Sequence, residues 1–130
     1  MQWTFEKTAL AGVVVITPPV FGDDRGFFKE TYSARVFRDN GIVIDFVQDN
    51  HSWSKQAGTL RGIHFQTGAQ AQAKLVRCIR GRILDVAVDL GRSSPTFARW
   101  VAIELSPDNH RELFVPAGFG HAFLTLEDDC

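Results

Sequence analysis

The sequence predicts an all-β protein, a double-stranded β-helix (cupin-type jelly roll) with one short helix. Short runs of β-branched and aromatic residues are cut by Gly, Pro, Asp and Asn, a pattern typical of β-sandwiches and barrels. The even spacing of these runs, with Pro and Gly between them, favours the double-stranded β-helix. An open sandwich of the immunoglobulin type fits the same pattern and stays open as an alternative. Without an internal repeat or linker, residues 1–130 are predicted to form a single jelly-roll domain.

The predicted elements follow one another from end to end of the chain. A short helix is expected at Ala34–Asp39, because Ser33 can cap its first turn and Gly41 stands just past its end. Arg80-Gly81-Arg82 is the tightest hairpin signal, and loops are expected at 91–95 and 106–109. The predicted strands cover residues 13–17, 27–32, 46–54, 59–66, 74–80, 82–90, 98–105, 113–115 and 121–126.

Composition and charge exclude several classes of protein. Hydrophobic residues make up 45% of the chain, with 11 Phe and 3 Trp, so a packed globular core is expected rather than disorder. The net charge is −1 and both signs are interspersed, which argues against nucleic acid and membrane surfaces as partners. The N-terminus lacks the charged stretch followed by an apolar stretch that is typical of a signal peptide. Cys78 and Cys130 form no CxxC motif, so we expect a cytoplasmic protein.

His64 and Lys74 lie ten residues apart on two neighbouring predicted strands. An imidazole can take a proton near neutral pH, and an ammonium can stabilise the oxyanion that results. The pair is therefore a candidate for abstracting a proton beside a carbonyl. Each residue also has a plainer interpretation, His64 as a structural histidine and Lys74 as a strand-end lysine that reaches water. Asp85 is a plausible countercharge for Lys74, or a buried structural carboxylate.

Other polar residues are candidates for binding. Gln48, Asn50, Ser52 and Ser54 share one face of a predicted strand, which is either a sugar-binding row or a solvated surface. Strict alternation separates Arg61 from His64, unless a bulge at Gly62 brings them to one side. A packing glycine is the alternative. Taken alone, Arg25 reads as a surface ion-pair residue and His121 as a core histidine.

Several blocks of the chain closely resemble, in order and in register, the dTDP-4-dehydrorhamnose 3,5-epimerase family. The blocks are FGDDRGFFKETY (21–32), FVQDNHS (46–52), LRGIHFQ (60–66), AKLVR (73–77), GRILDVAVDL (81–90) and VPAGFGHAF (115–123). The resemblance implies a cupin-type jelly roll without a cofactor or a metal. It also implies a homodimer in which N-terminal strands add to the partner's sheet.

The resemblance also implies roles for single residues. His64 would be the general base that removes the C5 proton and then the C3 proton of a dTDP-4-keto-6-deoxyhexose, and Lys74 would stabilise the enolate oxygen at C4. The residues implied to line the sugar and diphosphate site are Arg25, Glu30, Gln48, Asn50, Arg61 and His121. The family's general-acid tyrosine and the carboxylate paired with its histidine lie beyond the last matched block. We therefore expect a jelly roll that is shortened at its C-terminus.

Two other functions stay open at this point. The chain could bind a nucleotide sugar with little or no turnover, because neither the tyrosine nor the carboxylate is present. It could also be a metal-dependent cupin enzyme, since Pro116, Gly118 and His121 resemble part of a second cupin motif. Against a metal, His64 is followed by Phe65 and Gln66 rather than by a second histidine.

Overall fold

The computed structural model describes residues 2–68 and 71–130. Within these residues the chain forms β1 (Thr4–Lys7), β2 (Val14–Thr17), β3 (Val20–Asp23), β4 (Gly26–Lys29), α1 (Ala34–Asp39), β5 (Leu60–His64), β6 (Lys74–Arg77), β7 (Ile83–Asp89), β8 (Trp100–Leu105), β9 (Glu112–Val115) and β10 (Phe119–Thr125).

The strands form two larger sheets and a separate hairpin. The first sheet has the order β1-β2-β9-β6, the second has the order β5-β10-β7-β8, and β3 pairs with β4 alone. All these pairs are antiparallel. The predicted all-β class with one short helix is confirmed for the residues that the structure describes.

The main core lies between the two sheets. Val15 and Leu113 from the first sheet pack with Ile83 and Ala87 from the second, and each is at most 6% exposed. Because side chains alternate along a strand, Asp85 and Asp89 share the buried face of β7 with Ile83 and Ala87, and the other face carries partly buried aliphatic residues. The packing of the two sheets therefore fixes the side to which each polar residue of β7 and β10 points.

Helix α1 covers the outer face of the first sheet. Phe37 of α1 is buried against Ile16 of β2 and Phe114 of β9. The Ser33 side chain accepts a hydrogen bond from the Val36 N–H, and Gly41 has a φ of +85°, which favours glycine just after the helix. The predicted helix and its N-cap are thus confirmed.

The strand predicted at 46–54 is wrong, and β1 and β3 were not predicted. Residues 46–54 belong to no strand, and in the described part of the chain the backbone of 45–53 forms no backbone hydrogen bond. The segment has a strand-like composition, but a strand also needs a neighbouring backbone to pair with. Only its end is paired: Ser54 and Cys130 exchange two backbone hydrogen bonds of 2.8 and 3.0 Å.

Candidate active site

A cleft of about 500 Å³ lies where the starts of β6 and β10 meet the end of β5. Four of the predicted site residues, Gln48, Asn50, His64 and Lys74, line it together. The full lining consists of Gln48, Asn50, Ile63, His64, Phe65, Gln66, Gln72, Lys74, Gly118 and Phe119. Amide groups that can donate and accept hydrogen bonds thus surround one imidazole and one ammonium.

An irregular strand brings His64 to this cleft. His64 lies opposite His121 and Arg61 lies opposite Phe123, so β5 uses three steps where β10 uses two. The extra residue is the predicted bulge at Gly62, and it turns Arg61 and His64 to the same side. Gly62 also packs closely, because a Cβ there would lie 2.7 Å from the His121 carbonyl oxygen.

Lys74 comes to the cleft from the other sheet. It opens β6, is half-buried, and lies opposite Val115 of β9. Its neighbours Leu75 and Val76 pack against the apolar clusters of the molecule, which anchors the backbone from which Lys74 extends. The imidazole of His64 and the ammonium of Lys74 are therefore carried by two different rigid sheets that share one opening.

His121 and Asp85 form a buried pair beneath the cleft. His121 Nε2 lies 2.6 Å from Asp85 Oδ1, and Asp85 is 0% exposed. Burial raises the pKa of the Asp85 carboxyl, while the hydrogen bond and charge of His121, and then the charge of Lys74, pull it down. The charge of Lys74 thus reaches Asp85, but the hydrogen bond of Asp85 goes to His121, and the role of Asp85 as a countercharge for Lys74 stays a prediction.

Four predicted binding residues do not line the cleft, and one of them is His121, which is buried against Asp85 and whose implied role in binding stays a prediction. Arg25 lies in the β3–β4 turn with its Nη2 2.7 Å from Asp23 Oδ2, and its side chain is 90% exposed. Glu30 follows β4 and is also exposed. Arg61 donates from Nε to Ser54 Oγ at 3.1 Å and from Nη2 to the Trp53 carbonyl at 3.0 Å. The implied roles of Arg25, Glu30 and Arg61 in substrate binding stay predictions.

One wall of the cleft is the extended segment 45–53. Gln48 Nε2 donates to Asn50 Oδ1 at 3.2 Å, so the two amides are held side by side. At the end of the segment, the Arg61 guanidinium donates to the Ser54 hydroxyl and to the Trp53 carbonyl, and Trp53 Nε1 donates to Asp129 Oδ1. Side-chain contacts, rather than a β-ladder, therefore position this wall.

Two lining residues, Gln66 and Gln72, were not among the predicted site residues, and the sequence contains a signal for only the first of them. Gln66 follows His64 by two positions, so the alternation of a strand already places it on the same side. Gln72 lies in the connection before β6, where no periodicity applies. A groove of about 460 Å³ between β1 and β8 has no histidine in its lining, so its side chains offer less for proton transfer near neutral pH.

The structure bears on two further expectations. Within residues 2–68 and 71–130, His, Cys, Asp and Glu side chains nowhere gather in a group of three or more that could hold a metal ion. None of the helical residues in these ranges forms a segment with the length and hydropathy needed to cross a bilayer.

Comparison with known proteins gives a consistent result along the chain. The family model described as dTDP-4-dehydrorhamnose 3,5-epimerase matches residues 7–130. A dTDP-4-dehydrorhamnose 3,5-epimerase of Methanothermobacter thermautotrophicus is 50% identical over 129 residues, which cover 99% of this chain and 69% of the relative. The chain therefore spans about two thirds of the length of this relative.

Solved structures agree with the described fold. The dTDP-4-dehydrorhamnose 3,5-epimerase of Bacillus anthracis, with TDP and PPi bound, matches with a TM-score of 0.95 and 47% identity, over 98% of this chain and 73% of that one. A dTDP-6-deoxy-D-glucose-3,5-epimerase of Legionella pneumophila, in complex with dTDP-4-keto-L-rhamnose, matches with a TM-score of 0.94 and 42% identity, over 98% and 68%. These likenesses confirm the predicted cupin-type fold.

Proposed function

The chain belongs to the dTDP-4-dehydrorhamnose 3,5-epimerase family, and from that premise we propose that it is an isomerase of a dTDP-4-keto-6-deoxyhexose. It inverts C3, C5 or both by removing a proton beside the C4 ketone and passing through an enolate. The family match and the nucleotide ligands bound in the related structures support the substrate class.

The observation that carries the proposal is the presence of His64 and Lys74 in one cleft. A proton beside a ketone is acidic only if the negative charge that develops on the oxygen is stabilised. The imidazole of His64 supplies the base, and the ammonium of Lys74 supplies the charge for the enolate oxygen. The two groups come from different sheets, and we propose that the sugar ring binds between them.

Binding and orientation are assigned to the remaining polar residues. Gln48 and Asn50 offer amide donors and acceptors to the sugar hydroxyls, and Gln66 and Gln72 extend this row. Arg61 lies on the His64 side of β5, and we propose that its guanidinium binds the diphosphate. We propose that Arg25 and Glu30 also bind the substrate at its diphosphate end.

Reprotonation of the enolate on the opposite face requires a second acid. The chain has one tyrosine, Tyr32, and it packs edge-on against Phe37 on the outer face of the first sheet, with ring centroids 4.8 Å apart. Tyr32 therefore does not serve the cleft. The resemblance assigns this step in the family to a tyrosine beyond the last matched block, and no residue of the cleft described here is proposed for it.

The alternative is a nucleotide-sugar-binding protein with little turnover, and the position of Tyr32 away from the cleft is the observation that favours it. Without a positioned acid, proton return would come from water, which typically slows such a step by about 10²–10⁴-fold. Both functions predict binding of dTDP, so only the exchange of a carbon-bound proton at C3 or C5 distinguishes them.

The experiment is proton exchange by NMR with dTDP-4-keto-6-deoxyglucose in deuterated buffer. We expect the wild-type chain to exchange deuterium into C3 or C5 and His64→Asn to slow the exchange by about 10²–10⁴-fold. His51→Asn, an exposed histidine of the neighbouring segment, is the matched control. Exchange in His64→Asn at the wild-type rate would refute the assignment of the base. Binding of dTDP without any exchange in the wild type would favour the alternative.

The expected homodimer and the expected cytoplasmic location stay predictions. Light scattering on a sizing column tests the first: a mass of twice that of the chain supports the dimer, and the mass of one chain contradicts it.

A further inference from the structure

A carboxylate away from the cleft is buried without a hydrogen-bond partner. Glu112, the first residue of β9, is 1% exposed, and both of its carboxylate oxygens lack a hydrogen bond from residues 2–68 and 71–130. Its neighbours across the sheet are Ile16 of β2 and Arg77 of β6. Burying an ionised carboxylate without a hydrogen bond costs folding free energy, and its interaction with a nearby charge is strong because little water screens it.

The β3–β4 hairpin approaches the molecule beside this residue. Lys29, at the end of β4, has its Nζ 3.1 Å from Nδ1 of His110. Phe27 of the same strand packs edge-on against the His110 ring with a centroid distance of 5.0 Å, and the Lys29 ammonium lies 5.6 Å from the Phe27 ring centroid. His110 is two residues before Glu112, so the contact with the hairpin and the buried carboxylate are adjacent.

The charges in this region act on one another. Burial raises the pKa of Glu112 to about 7, against the pull of Arg77 and Lys29. Burial lowers the pKa of Lys29, Glu112 raises it, and Arg77 lowers it. Burial and the charge of Lys29 lower the pKa of His110, and Asp108 raises it. Arg77 comes from β6, Lys29 from β4, and β2 contributes only the uncharged Ile16.

We propose that Lys29, His110 and Glu112 form a proton-operated latch, which holds the β3–β4 hairpin on the first sheet at neutral to alkaline pH and releases it in mild acid. An ammonium has no lone pair, so the contact of Lys29 with Nδ1 requires a neutral His110. Protonation of His110 removes the acceptor and places a like charge against Lys29. Protonation of Glu112 removes the buried negative charge that attracts Lys29.

The two protonations act in the same direction on the hairpin. Each weakens the attachment of Lys29. Glu112 stays between β2 and β6 when the hairpin is released, so the departure of Lys29 raises the pKa of Glu112 further. The docked form therefore binds fewer protons than the released form, and docking strengthens as the pH rises. The hairpin carries Arg25 at its turn and leads into Glu30, so the latch controls the position of two proposed substrate-binding residues. This consequence rests on the proposed function, whereas the latch itself does not.

Hydrogen–deuterium exchange of the full chain at pH 6 and pH 8, corrected for the intrinsic exchange rates, tests the latch without any substrate. We expect the protection of residues 20–29 to be about tenfold higher at pH 8 than at pH 6, the change that one pKa unit of coupling gives. Glu112→Gln should lose most of this difference by lowering the protection at pH 8. Lys29→Met, a substitution at a half-buried position that disturbs folding less, should abolish the difference in protection between the two pH values.

The matched control is Glu104→Gln, which removes an exposed carboxylate of β8 that is ion-paired with Arg82. It should keep the wild-type response. Equal protection of residues 20–29 at both pH values in the wild type, or a full pH response in both Glu112→Gln and Lys29→Met, would overturn the latch. Either result would leave the proton-exchange test of His64 untouched.

Discussion

His121 donates from Nε2 to the buried carboxylate of Asp85 over 2.6 Å, and the same histidine lies directly opposite His64 on the neighbouring strand. His121 therefore belongs to β10, which pairs with the strand of the proposed base, and Asp85 belongs to β7 on the other side of β10. Since side chains of directly opposed residues share one face of a sheet, the two imidazoles point to the same side. Asp85 fixes the orientation of one of them from inside the molecule.

Replacing Asp85 by Asn should lower turnover by about 10²-fold, because a displacement of a positioned group costs this much even far from the chemistry. The amide keeps the size of the side chain but removes the charge that orients His121. Turnover and dTDP affinity should be measured together, and the affinity should change much less.

Asp89→Asn is the control for this change. Asp89 is a buried carboxylate on the same strand, but it accepts from Ser94, Thr96 and the Gly91 N–H in the following loop. Equal turnover in the two variants would show that Asp85 has no special role.

Lys74→Met should reduce kcat by about 10²–10³-fold, the usual cost of removing one group that stabilises an oxyanion. Binding of dTDP should persist, because the enolate charge develops only during the reaction. Calorimetry gives the affinity, and NMR exchange gives the rate. Lys55→Met, an exposed lysine before β5, should leave both unchanged. A loss of affinity as large as the loss of rate would instead make Lys74 a simple binding residue.

The free energy of unfolding should fall between about pH 4.5 and pH 7 because of Glu112. Its pKa is raised from 4.5 to about 7 by burial in the folded state. The folded chain therefore binds more protons than the unfolded chain in this window, and stability decreases as the pH rises. The difference corresponds to about 3 kcal/mol for a shift of this size.

Urea unfolding at pH 5 and pH 8 measures this difference in the wild type and in Glu112→Gln. The variant should lose that part of the pH dependence and gain stability relative to the wild type at pH 8. Glu104→Gln, whose carboxylate is exposed, should follow the wild type. If Glu112→Gln kept the full pH dependence, the titration would belong to another group.

Gly62→Ala should destabilise the fold by about 1–3 kcal/mol, as overpacking of a filled site does. The added methyl group would meet the His121 carbonyl at 2.7 Å and Ala122 Cβ at 2.8 Å, which pushes β5 away from β10. Gly58→Ala is the matched control, because Gly58 also has a positive φ but has nothing within 4 Å of its added Cβ. Thermal unfolding of both variants separates the clash from the backbone strain, and equal losses would argue against the clash.

The sequence predicted several local features of the fold, although the hairpin expected at Arg80-Gly81-Arg82 is wrong because β6 and β7 lie in different sheets. Ser33 and Gly41 mark the ends of α1, and alternation with a bulge at Gly62 places Arg61 and His64 on one side. These features depend on neighbouring residues, whose chemistry a sequence displays directly.

Long-range features could not be predicted in this way. The composition of residues 46–54 indicated a strand, but no composition shows whether another backbone lies beside it. The bond between Asp85 and His121 joins residues 36 positions apart, and Glu112 is buried in a sheet whose β2, β9 and β6 come from three separate parts of the chain. Such contacts follow from the packing of distant segments.

Some cleft residues lie on paired strands and others lie on the unpaired segment 45–53. This difference affects which of them can change during divergence or engineering. His64 and Lys74 stand on paired strands, where substitutions at neighbouring positions disturb the core. Gln48 and Asn50 stand on a segment whose backbone is not committed to a ladder, so its side chains can vary at little cost to folding. Libraries that randomise this wall should therefore yield changed sugar preferences while the proton chemistry is retained.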